Sequence, residues 1–382
     1  MNKIAVAELR PGQRFSQPVF VDGDSLFVAE GVPIKERDIE RLMKWGIEHV
    51  ESAGEVVPED PHDALNAFFL RAFHTAAMRV VTQTYEELRK DLLSLFGQIR
   101  ASDELASEPV DNIIERLLQL ISIRSNDVVQ YMLYGMQGES GDVENALNTA
   151  ALAAIVGRSM QFSAERLQVL TAAALLHDTG MLRVSAEIVS KQGTLTADER
   201  RMIQTHPVHS YRVITKELGM SDAIGLAALQ HQERWDGQGY PRRLAKTDIS
   251  LEARVIAVAA SFVAMVSSRP YRSPMVGYTA IRNLLGDNGT RFDPDVLKIF
   301  IRVLGIYPIG SVVQLSDGSI ARVLENRSTA PLKPLVKVII GAEGEEYVND
   351  DGPSLDLAHS GQPFIGKAVD AMSLAAQVKH RN

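Results

Sequence analysis

Apolar residues recur at three- and four-residue spacing through most of the middle of this 382-residue chain. The pattern runs through ALNAFFLRAFHTAAMRVV, YEELRKDLLSLFGQI and VDNIIERLLQLI, and a helix-rich stretch continues from Ala146 to Leu304. This period places apolar side chains on one face of an α-helix and does not fit a strand. The chain is also longer than one hydrophobic core usually holds, so we expect two or three domains. Its middle is predicted to be helical.

Short strand-like runs flank the helical region on both sides. Before it, RFSQPVF, DSLFVAE and IEHVESA accompany turn pairs and a helix-like segment from Lys35 to Trp45. After Gly305, the runs GSVVQLSDGSIARVLEN and PLVKVIIGAEGEEYV alternate as strands do. We therefore predict a mainly α protein with four parts: a small α+β module at residues 1–57, a helical linker at 62–141, a helical domain at 142–305 and a small β-rich extension at 306–382.

The helical linker has two interpretations. Long amphipathic helices often pair between subunits, which would make this chain a homodimer. The same apolar stripes would equally well cover the domain that follows them. His74 lies on one of these stripes and is predicted to pack there and to bind no metal.

The composition excludes several kinds of site. The chain has no cysteine, so any metal must bind to histidine or carboxylate side chains and no disulfide can form. Its net charge of -8 argues against binding of a nucleic-acid polymer, although a small phosphorylated ligand needs only a local basic cluster. The first residues, MNKIAVAELRPGQRF, show no basic and apolar leader, and no apolar run approaches the roughly 20 residues that span a bilayer. We therefore expect a cytoplasmic protein without a membrane span.

A histidine and an aspartate stand side by side in AALLHDTGMLRV, at the end of an apolar run that is predicted to be helical. His177 and Asp178 would supply two ligands for a borderline divalent ion, because a neutral imidazole binds such ions and a carboxylate can bridge two of them. The alternative is a capped helix end in which Asp178 accepts backbone N–H groups. For the pair taken alone, the capped helix end is favoured.

Further motifs follow this pair. They are His206 in QTHPVHS, His231 in ALQHQERWDGQGYP, and the segments RPYR and RFDPDVLKIF. In this order and spacing, the stretch from Asn145 to Leu304 resembles the HD-GYP family of cyclic di-GMP phosphodiesterases, which are built on the helical core of the HD hydrolases. The resemblance implies a metal-dependent phosphodiesterase site in a domain that occupies less than half of the chain.

The resemblance implies roles for the residues that match the family motifs. It implies metal ligands at four positions, of which the first two are also the catalytic pair: His177, Asp178, His206 and His231. It implies contacts to the cyclic dinucleotide from the GYP triplet and from RPYR: Gly239, Tyr240, Pro241, Arg269 and Arg272. Two guanidinium groups would suit the phosphates, because each has a rigid fork of donors. The GYP segment would also contact signalling protein partners.

Several positions depart from the family pattern. In place of a histidine, the second histidine of an HHE block, an aspartate and a lysine, this chain has Asn145, Gln232, Ala260 and Met181, in that order. Each lost ligand lowers the affinity for metal, and changes around a metal site alone cost roughly 10 to 100-fold. We therefore expect at most one divalent ion, which would be iron, manganese or zinc, or no ion at all. Its ligands would be Asp178, His206 and His231.

Two functions remain open from the sequence. The first is a regulator that binds cyclic di-GMP or a partner protein with little or no hydrolysis. The second is a slow metal-dependent phosphodiesterase that releases pGpG or GMP. Hydrolysis of a different phosphate ester ranks last, because those enzymes generally need the missing ligands as well.

Other polar residues near these motifs have structural interpretations. Asp293 followed by proline predicts the N-cap of a helix, and Asp236 predicts an Asx-type turn in the GYP segment. His209 is expected to be exposed or to cap a helix. Trp235 and Tyr240 either stack on a guanine base or pack the loop against the helical core.

Overall fold

The computed structural model describes residues 2–10, 13–21, 25–28, 34, 36–57, 76–101, 105–134, 141–191, 193–267, 277–327, 330–347 and 351–369. Within these residues the protein is mainly α, with a small α+β region before the helices and a small sheet after them, as the sequence predicts. The chain divides into two units, one formed by residues 1–71 and 370–382 and the other by residues 72–369. The bounds of the four parts expected from the sequence stay a prediction. His74 lies outside the described residues.

Among its described residues, the first unit contains six short strands and one α-helix. The strands are β1 (Asn2–Ala5), β2 (Arg14–Phe15), β3 (Val19–Val21), β4 (Ser25–Val28), β5 (His49–Ser52) and β6 (Val56–Val57), and the helix is α1 (Glu36–Lys44). Four strands form an antiparallel sheet in the order β1-β5-β3-β4, and β2 pairs with β6. Apolar residues such as Val19, Leu42 and Val50 are fully buried in its core.

The second unit begins with eleven helices among the described residues. They are α2 (Ala76–Ala101), α3 (Glu108–Tyr134), α4 (Asp142–Ser159), α5 (Ala164–Leu176), α6 (Ala186–Val189), α7 (Ala197–Ile203), α8 (His206–Arg212), α9 (Asp222–Gln230), α10 (Leu251–Val266), α11 (Gly277–Gly286) and α12 (Pro294–Leu304). Short 3-10 turns occur at Thr179–Arg183 and Lys246–Asp248, and a π-helical turn at Val213–Glu217. No described helix is both long and apolar enough to cross a bilayer.

The helices of this unit share one hydrophobic core. Leu92 of α2 and Leu117 of α3 are fully buried in the same cluster as Phe262 of α10 and Phe300 of α12, whose rings stack edge to face at 5.5 Å. The apolar stripes of α2 and α3 therefore cover the helices that follow, which is the second of the two interpretations of this region. Pairing between subunits stays a prediction.

Local sequence explains where several helices begin. The hydroxyl oxygens of Ser163, Thr196 and Ser250 accept hydrogen bonds from the backbone N–H groups at the starts of α5, α7 and α10. Asp293 caps α12 as predicted, accepting from the N–H groups of Asp295 and Val296. These caps fix the ends of the helices on which the site is built.

Five strands follow the helices in the part of the chain that the structure describes. They are β7 (Val312–Leu315), β8 (Ile320–Glu325), β9 (Leu335–Ile340), β10 (Ser354–Asp356) and β11 (Ile365–Ala368). They form an antiparallel sheet in the order β10-β9-β8-β7-β11. Val313, Val323 and Val336 are fully buried in a separate small core beneath this sheet.

Candidate metal centre

Three histidines and one aspartate meet where three helix ends converge. His177 caps the C-terminal end of α5 and Asp178 follows it. His206 is the first residue of α8, and His231 caps the end of α9. All three imidazoles are buried, whereas 48% of the Asp178 side chain is exposed. The structure thus brings together the four ligands that the sequence predicts, with the carboxylate open to solvent.

The three rings are oriented by the same local contact. The Nδ1 atoms of His177, His206 and His231 lie 2.8, 2.8 and 2.6 Å from the backbone carbonyl oxygens of the residues three positions earlier. A carbonyl oxygen can only accept, so each Nδ1 carries the proton and donates. In the neutral form of each ring, Nε2 therefore carries a lone pair, which is the form of histidine that binds a metal.

The Asp178 carboxylate faces these rings unequally. Its Oδ1 atom lies 3.1 Å from Nε2 of His206 and 3.3 Å from Nε2 of His231. Its Oδ2 atom lies 3.1 Å from Nε2 of His177. Among the described residues, Asp178 thus has two histidine neighbours on its Oδ1 side and one on its Oδ2 side.

The Oδ1 side has the dimensions of a metal site. Its three donor atoms are separated by 3.1, 3.3 and, between the Nε2 atoms of His206 and His231, 3.3 Å. A tetrahedral ion with bonds of about 2.0–2.1 Å has ligand atoms about 3.3 Å apart. The ligand atoms of His177, Asp178 and His231 also lie within 4.8 Å of one another. The residues present therefore fit one divalent ion, and one carboxylate with imidazoles suits iron, manganese or zinc.

The protonation states differ between the two sides. Burial lowers the pKa of His231 to about 4, although Asp178 opposes this, so its ring is neutral at pH 7. Burial also acts to lower the pKa of His177, but the coulombic attraction of Asp178 outweighs it and raises that pKa. Desolvation would raise the pKa of Asp178, yet the coulombic attraction of His177 and the close contact with the other two rings hold it well below its usual range. The aspartate is therefore an anion, and His177 is its electrostatic partner on the Oδ2 side.

Gly180 lets two elements of the site approach closely. A side-chain carbon at this position would overlap the carbonyl oxygen of His206 and the backbone nitrogen of Ser210. The N–H of Gly180 donates to the Ser210 hydroxyl at 2.8 Å, and that hydroxyl donates to the carbonyl of His177 at 2.6 Å. This contact holds the turn that carries Asp178 against α8, which carries His206.

The loop after His231, residues 232–244, borders the site and is called the GYP loop below. Tyr240 packs edge-on against the His206 ring, with ring centroids 6.2 Å apart, so this side chain packs the loop against the site. Burial raises the pKa of Tyr240 to about 12, and the Asp178 charge adds to this. Asp236 forms the predicted turn, accepting from the N–H of Gln238 at 3.0 Å. Trp235 packs beside the guanidinium of Arg254, 5.8 Å from the ring centroid.

Glu233 holds the GYP loop in place, and the sequence reasoning missed it. Its side chain is buried, and its carboxylate oxygens accept from the N–H groups of Arg242 at 2.7 Å and Leu244 at 3.0 Å. A side-chain carbon at Gly239 would overlap the backbone of residues 232–234, so the loop folds tightly on itself there. An acidic residue two positions after a predicted ligand histidine was the available signal.

Matches to family models identify the domain that carries the candidate metal centre. A family model described as "HD domain" matches residues 113–296, and one described as "KOW domain associated with HD domain" matches residues 312–377. Residues 113–296, which include the candidate metal centre, therefore form an HD domain. The HD match begins within α3, so it includes part of the region that the sequence reasoning assigned to a linker.

Three curated relatives are named as cyclic di-GMP phosphodiesterases. PA4108 of Pseudomonas aeruginosa is 31% identical over 282 residues, which are 71% of this chain and 64% of that protein. PdeB of Borreliella burgdorferi is 23% identical over 84% of this chain and 83% of its own length. The response regulator RpfG of Xanthomonas campestris pv. campestris is 31% identical over 58% of this chain and 55% of its own length. The chain thus spans less than two thirds of the first and third of these relatives.

The positions that the sequence predicts to depart from the family pattern are spread over the HD domain. Asn145 lies on α4, Met181 in the 3-10 turn after Asp178, Gln232 at the start of the GYP loop and Ala260 on α10. The Oδ1 atom of Asn145 is buried and has no hydrogen-bond partner among the described residues. Pro241 is half-buried in the GYP loop, whereas Arg269 and Arg272 lie outside the described residues.

Proposed function

We propose that this chain binds cyclic di-GMP at the metal centre of its HD domain and acts as a regulator with little or no hydrolysis. The names of the relatives support the choice of ligand. The observation that carries the proposal is the unequal surrounding of Asp178, with His206 and His231 on its Oδ1 side and His177 alone on its Oδ2 side among the described residues. Such a site holds one ion and binds a phosphate without completing the two-ion centre.

The residues of the Oδ1 side would hold this ion. Asp178, His206 and His231 would bind it, and the ion would act as a Lewis acid toward a phosphoryl oxygen of the ligand. Tyr240 lies beside His206, and its raised pKa keeps the phenol protonated at neutral pH. The phenol is therefore a hydrogen-bond donor for a phosphate held at this side of the site.

The Oδ2 side explains why hydrolysis should be slow. Two-metal phosphodiester hydrolysis needs ions about 3.5–4 Å apart, which stabilise the attacking and the leaving oxygen. Here His177 lies on the Oδ2 side of Asp178 and pairs with it. The positions at which the family would supply further ligands for a second ion are Asn145 and Ala260 in this chain. An amide and a methyl group supply no anionic ligand. Charge that develops on the leaving oxygen would therefore be poorly neutralised.

A partner protein is the second part of this proposal. Asp236, Gln238, Arg242 and Arg243 of the GYP loop are exposed, and Glu233 fixes the shape of the loop from below. A ligand at the metal centre would touch Tyr240 of the same loop. Occupancy of the site would thereby be transmitted to a surface that a signalling protein can bind.

The second candidate is a slow phosphodiesterase that releases pGpG or GMP. The convergence of four ligand side chains, with donor separations that match one ion, favours it. One ion can still polarise a phosphate ester, so a low rate of hydrolysis is compatible with this site.

Calorimetry and a product assay separate the two candidates. Cyclic di-GMP is titrated into the metal-loaded protein, and the mixture is then analysed chromatographically for pGpG and GMP. The regulator predicts micromolar binding that weakens in Tyr240→Phe, is unchanged in His209→Gln, and leaves the dinucleotide intact over hours. Slow metal-dependent release of product would favour the second candidate. Rapid turnover, or no heat at high micromolar concentration, would contradict the proposal that the chain is a cyclic di-GMP-binding regulator.

A further inference from the structure

We propose that a cavity between α3 and β8 is a second binding site, which takes a small phosphate-bearing anion and is separate from the metal centre. The cavity has a volume of about 380 Å³ and is lined by polar residues of α3 together with Arg322 of β8. None of the proposed metal ligands lines it. The inference therefore does not depend on the function proposed for the HD site.

A break in α3 forms one wall of the cavity. Arg124 has non-helical backbone angles, with φ -134° and ψ 33°. Arg158 of α4 donates to the carbonyl oxygen of Ile121 at 2.7 Å, and in an unbroken helix that oxygen would accept from the N–H of Ser125. A new helical segment of ten residues thus begins at Ser125, and its first turn lines the cavity. The positive end of its dipole favours an anion there.

A buried amide is the second, independent sign of a ligand. Gln130 lines the cavity, is only 7% exposed, and its side chain has no hydrogen-bond partner within the described part of the chain. Its amide is therefore free to bind a molecule in the cavity, and an anion with several acceptor oxygens would accept from it.

The charges on the cavity wall favour an anion. Arg124 and Arg322 line the cavity together with one carboxylate, that of Asp127. Arg124 is 3.8 Å from Asp127 and 43% exposed, so this ion pair is weak and a ligand can take over the guanidinium. Arg322 is 3% exposed, and burial raises the pKa of Asp127 against the pull of both arginines. A poorly hydrated wall of this kind strengthens attraction between an arginine and an anion.

The donor set identifies the class of ligand. Guanidinium forks, the side chains of Ser125 and Asn126 and the amide of Gln130 are all donors that match phosphate oxygens. The volume is at the lower end of the roughly 300–1,000 Å³ found for small-molecule sites. Inorganic phosphate and a nucleoside monophosphate both fit this description, and the test below separates them.

Calorimetry on the metal-loaded full chain tests this site, with inorganic phosphate and guanosine monophosphate as the two probes at constant ionic strength. We expect at least one probe to bind, and Arg124→Gln to weaken that binding about tenfold, because a charge-assisted hydrogen bond is lost. Gln130→Leu, which keeps the volume but removes the amide, should also weaken it. Similar affinities for both probes would identify phosphate alone as the ligand, and tighter binding of the monophosphate would identify a nucleotide.

Two control variants protect the interpretation. Arg116→Gln removes a charge from the same helix outside the cavity, where Arg116 pairs with Glu87 and Asp91. His231→Gln disables the metal centre. Both should leave the binding at the α3 cavity unchanged. The inference is overturned if neither probe binds at a concentration of about 10 mM. It is also overturned if Arg124→Gln and Gln130→Leu bind the probes as the wild type does, or if His231→Gln abolishes all binding.

Discussion

At the scale of single residues, the metal centre depends on three histidines that are held in the same way. Each ring donates its Nδ1 proton to a carbonyl one helical turn earlier, so the helix end itself selects the tautomer. The pair His206 and His231 then faces one oxygen of Asp178, and His177 faces the other. The three histidines therefore should not contribute equally to metal binding.

Replacing these histidines one at a time tests that inequality. His231→Gln should weaken binding of a divalent ion by about 100-fold or more, since it removes a direct ligand from the Oδ1 side, whereas His177→Gln should cost about tenfold or less. Competition with a fluorescent chelator measures both affinities. His209→Gln is the matched control, because His209 is half-buried on α8 and outside the cluster. Equal losses for His177 and His231 would contradict the one-sided site.

Gly180 gives a second prediction at this scale. Gly180→Ala should lower the free energy of unfolding by about 2–3 kcal/mol, because the added carbon overlaps the backbone of His206 and Ser210. Gly97→Ala is the control: it lies within α2, has no neighbour within 4 Å of the added carbon, and should stabilise the protein by up to about 1 kcal/mol. Urea unfolding followed by circular dichroism measures both. A harmless Gly180→Ala would show that the close approach is not required.

At the scale of secondary-structure elements, one helix start and the burial of two helix faces could be predicted. Asp293 followed by proline predicted the start of α12, and the periodicity predicted that α2 and α3 bury one face. The break of α3 at Arg124 could not be predicted, because Arg158, which donates to the carbonyl oxygen of Ile121 there, is 37 positions away from Ile121 in sequence. Contacts of this range depend on how helices pack, which local patterns do not encode.

The cap of α12 has an additional role that sequence did not reveal. Besides its two backbone bonds, Asp293 accepts from Arg254 of α10 at 2.6 Å, and it is 5% exposed. Asp293→Ala should therefore cost about 3 kcal/mol, since it removes a cap and leaves a largely buried guanidinium without its carboxylate. Asp293→Asn keeps the capping oxygen and should cost less. Equal unfolding midpoints for wild type and Asp293→Ala in urea would refute this role.

At the scale of the whole molecule, the sequence identified the four residues that cluster but not their arrangement. Order and spacing were enough to select His177, Asp178, His206 and His231, which come from three helix ends far apart in the chain. The unequal number of histidines near the two carboxylate oxygens of Asp178 appears only once these helix ends are packed together. The role of Glu233 was equally hidden, because its partners are backbone N–H groups 9 and 11 residues away.

Introducing the family residues should restore binding of a second ion at the Oδ2 side of Asp178. The triple variant Asn145→His, Gln232→His and Ala260→Asp adds two imidazoles and one carboxylate at positions where this chain has an amide, an amide and a methyl group. We expect it to bind one additional ion per chain and to hydrolyse cyclic di-GMP faster than wild type, by at least about tenfold if the second ion neutralises the leaving oxygen. Ala257→Asp on the same helix is the control for added charge. Two bound ions without faster hydrolysis would show that another feature limits the rate.

The amount of metal bound by the unmodified protein tests the central claim most directly. The full chain is purified without oxygen, loaded with iron, manganese or zinc in separate samples, freed of excess metal and analysed by mass spectrometry. One ion or less per chain is expected in every sample, because His206 and His231 share the Oδ1 atom of Asp178 and the Oδ2 side has His177 alone among the described residues. Two tightly bound ions per chain would contradict the account.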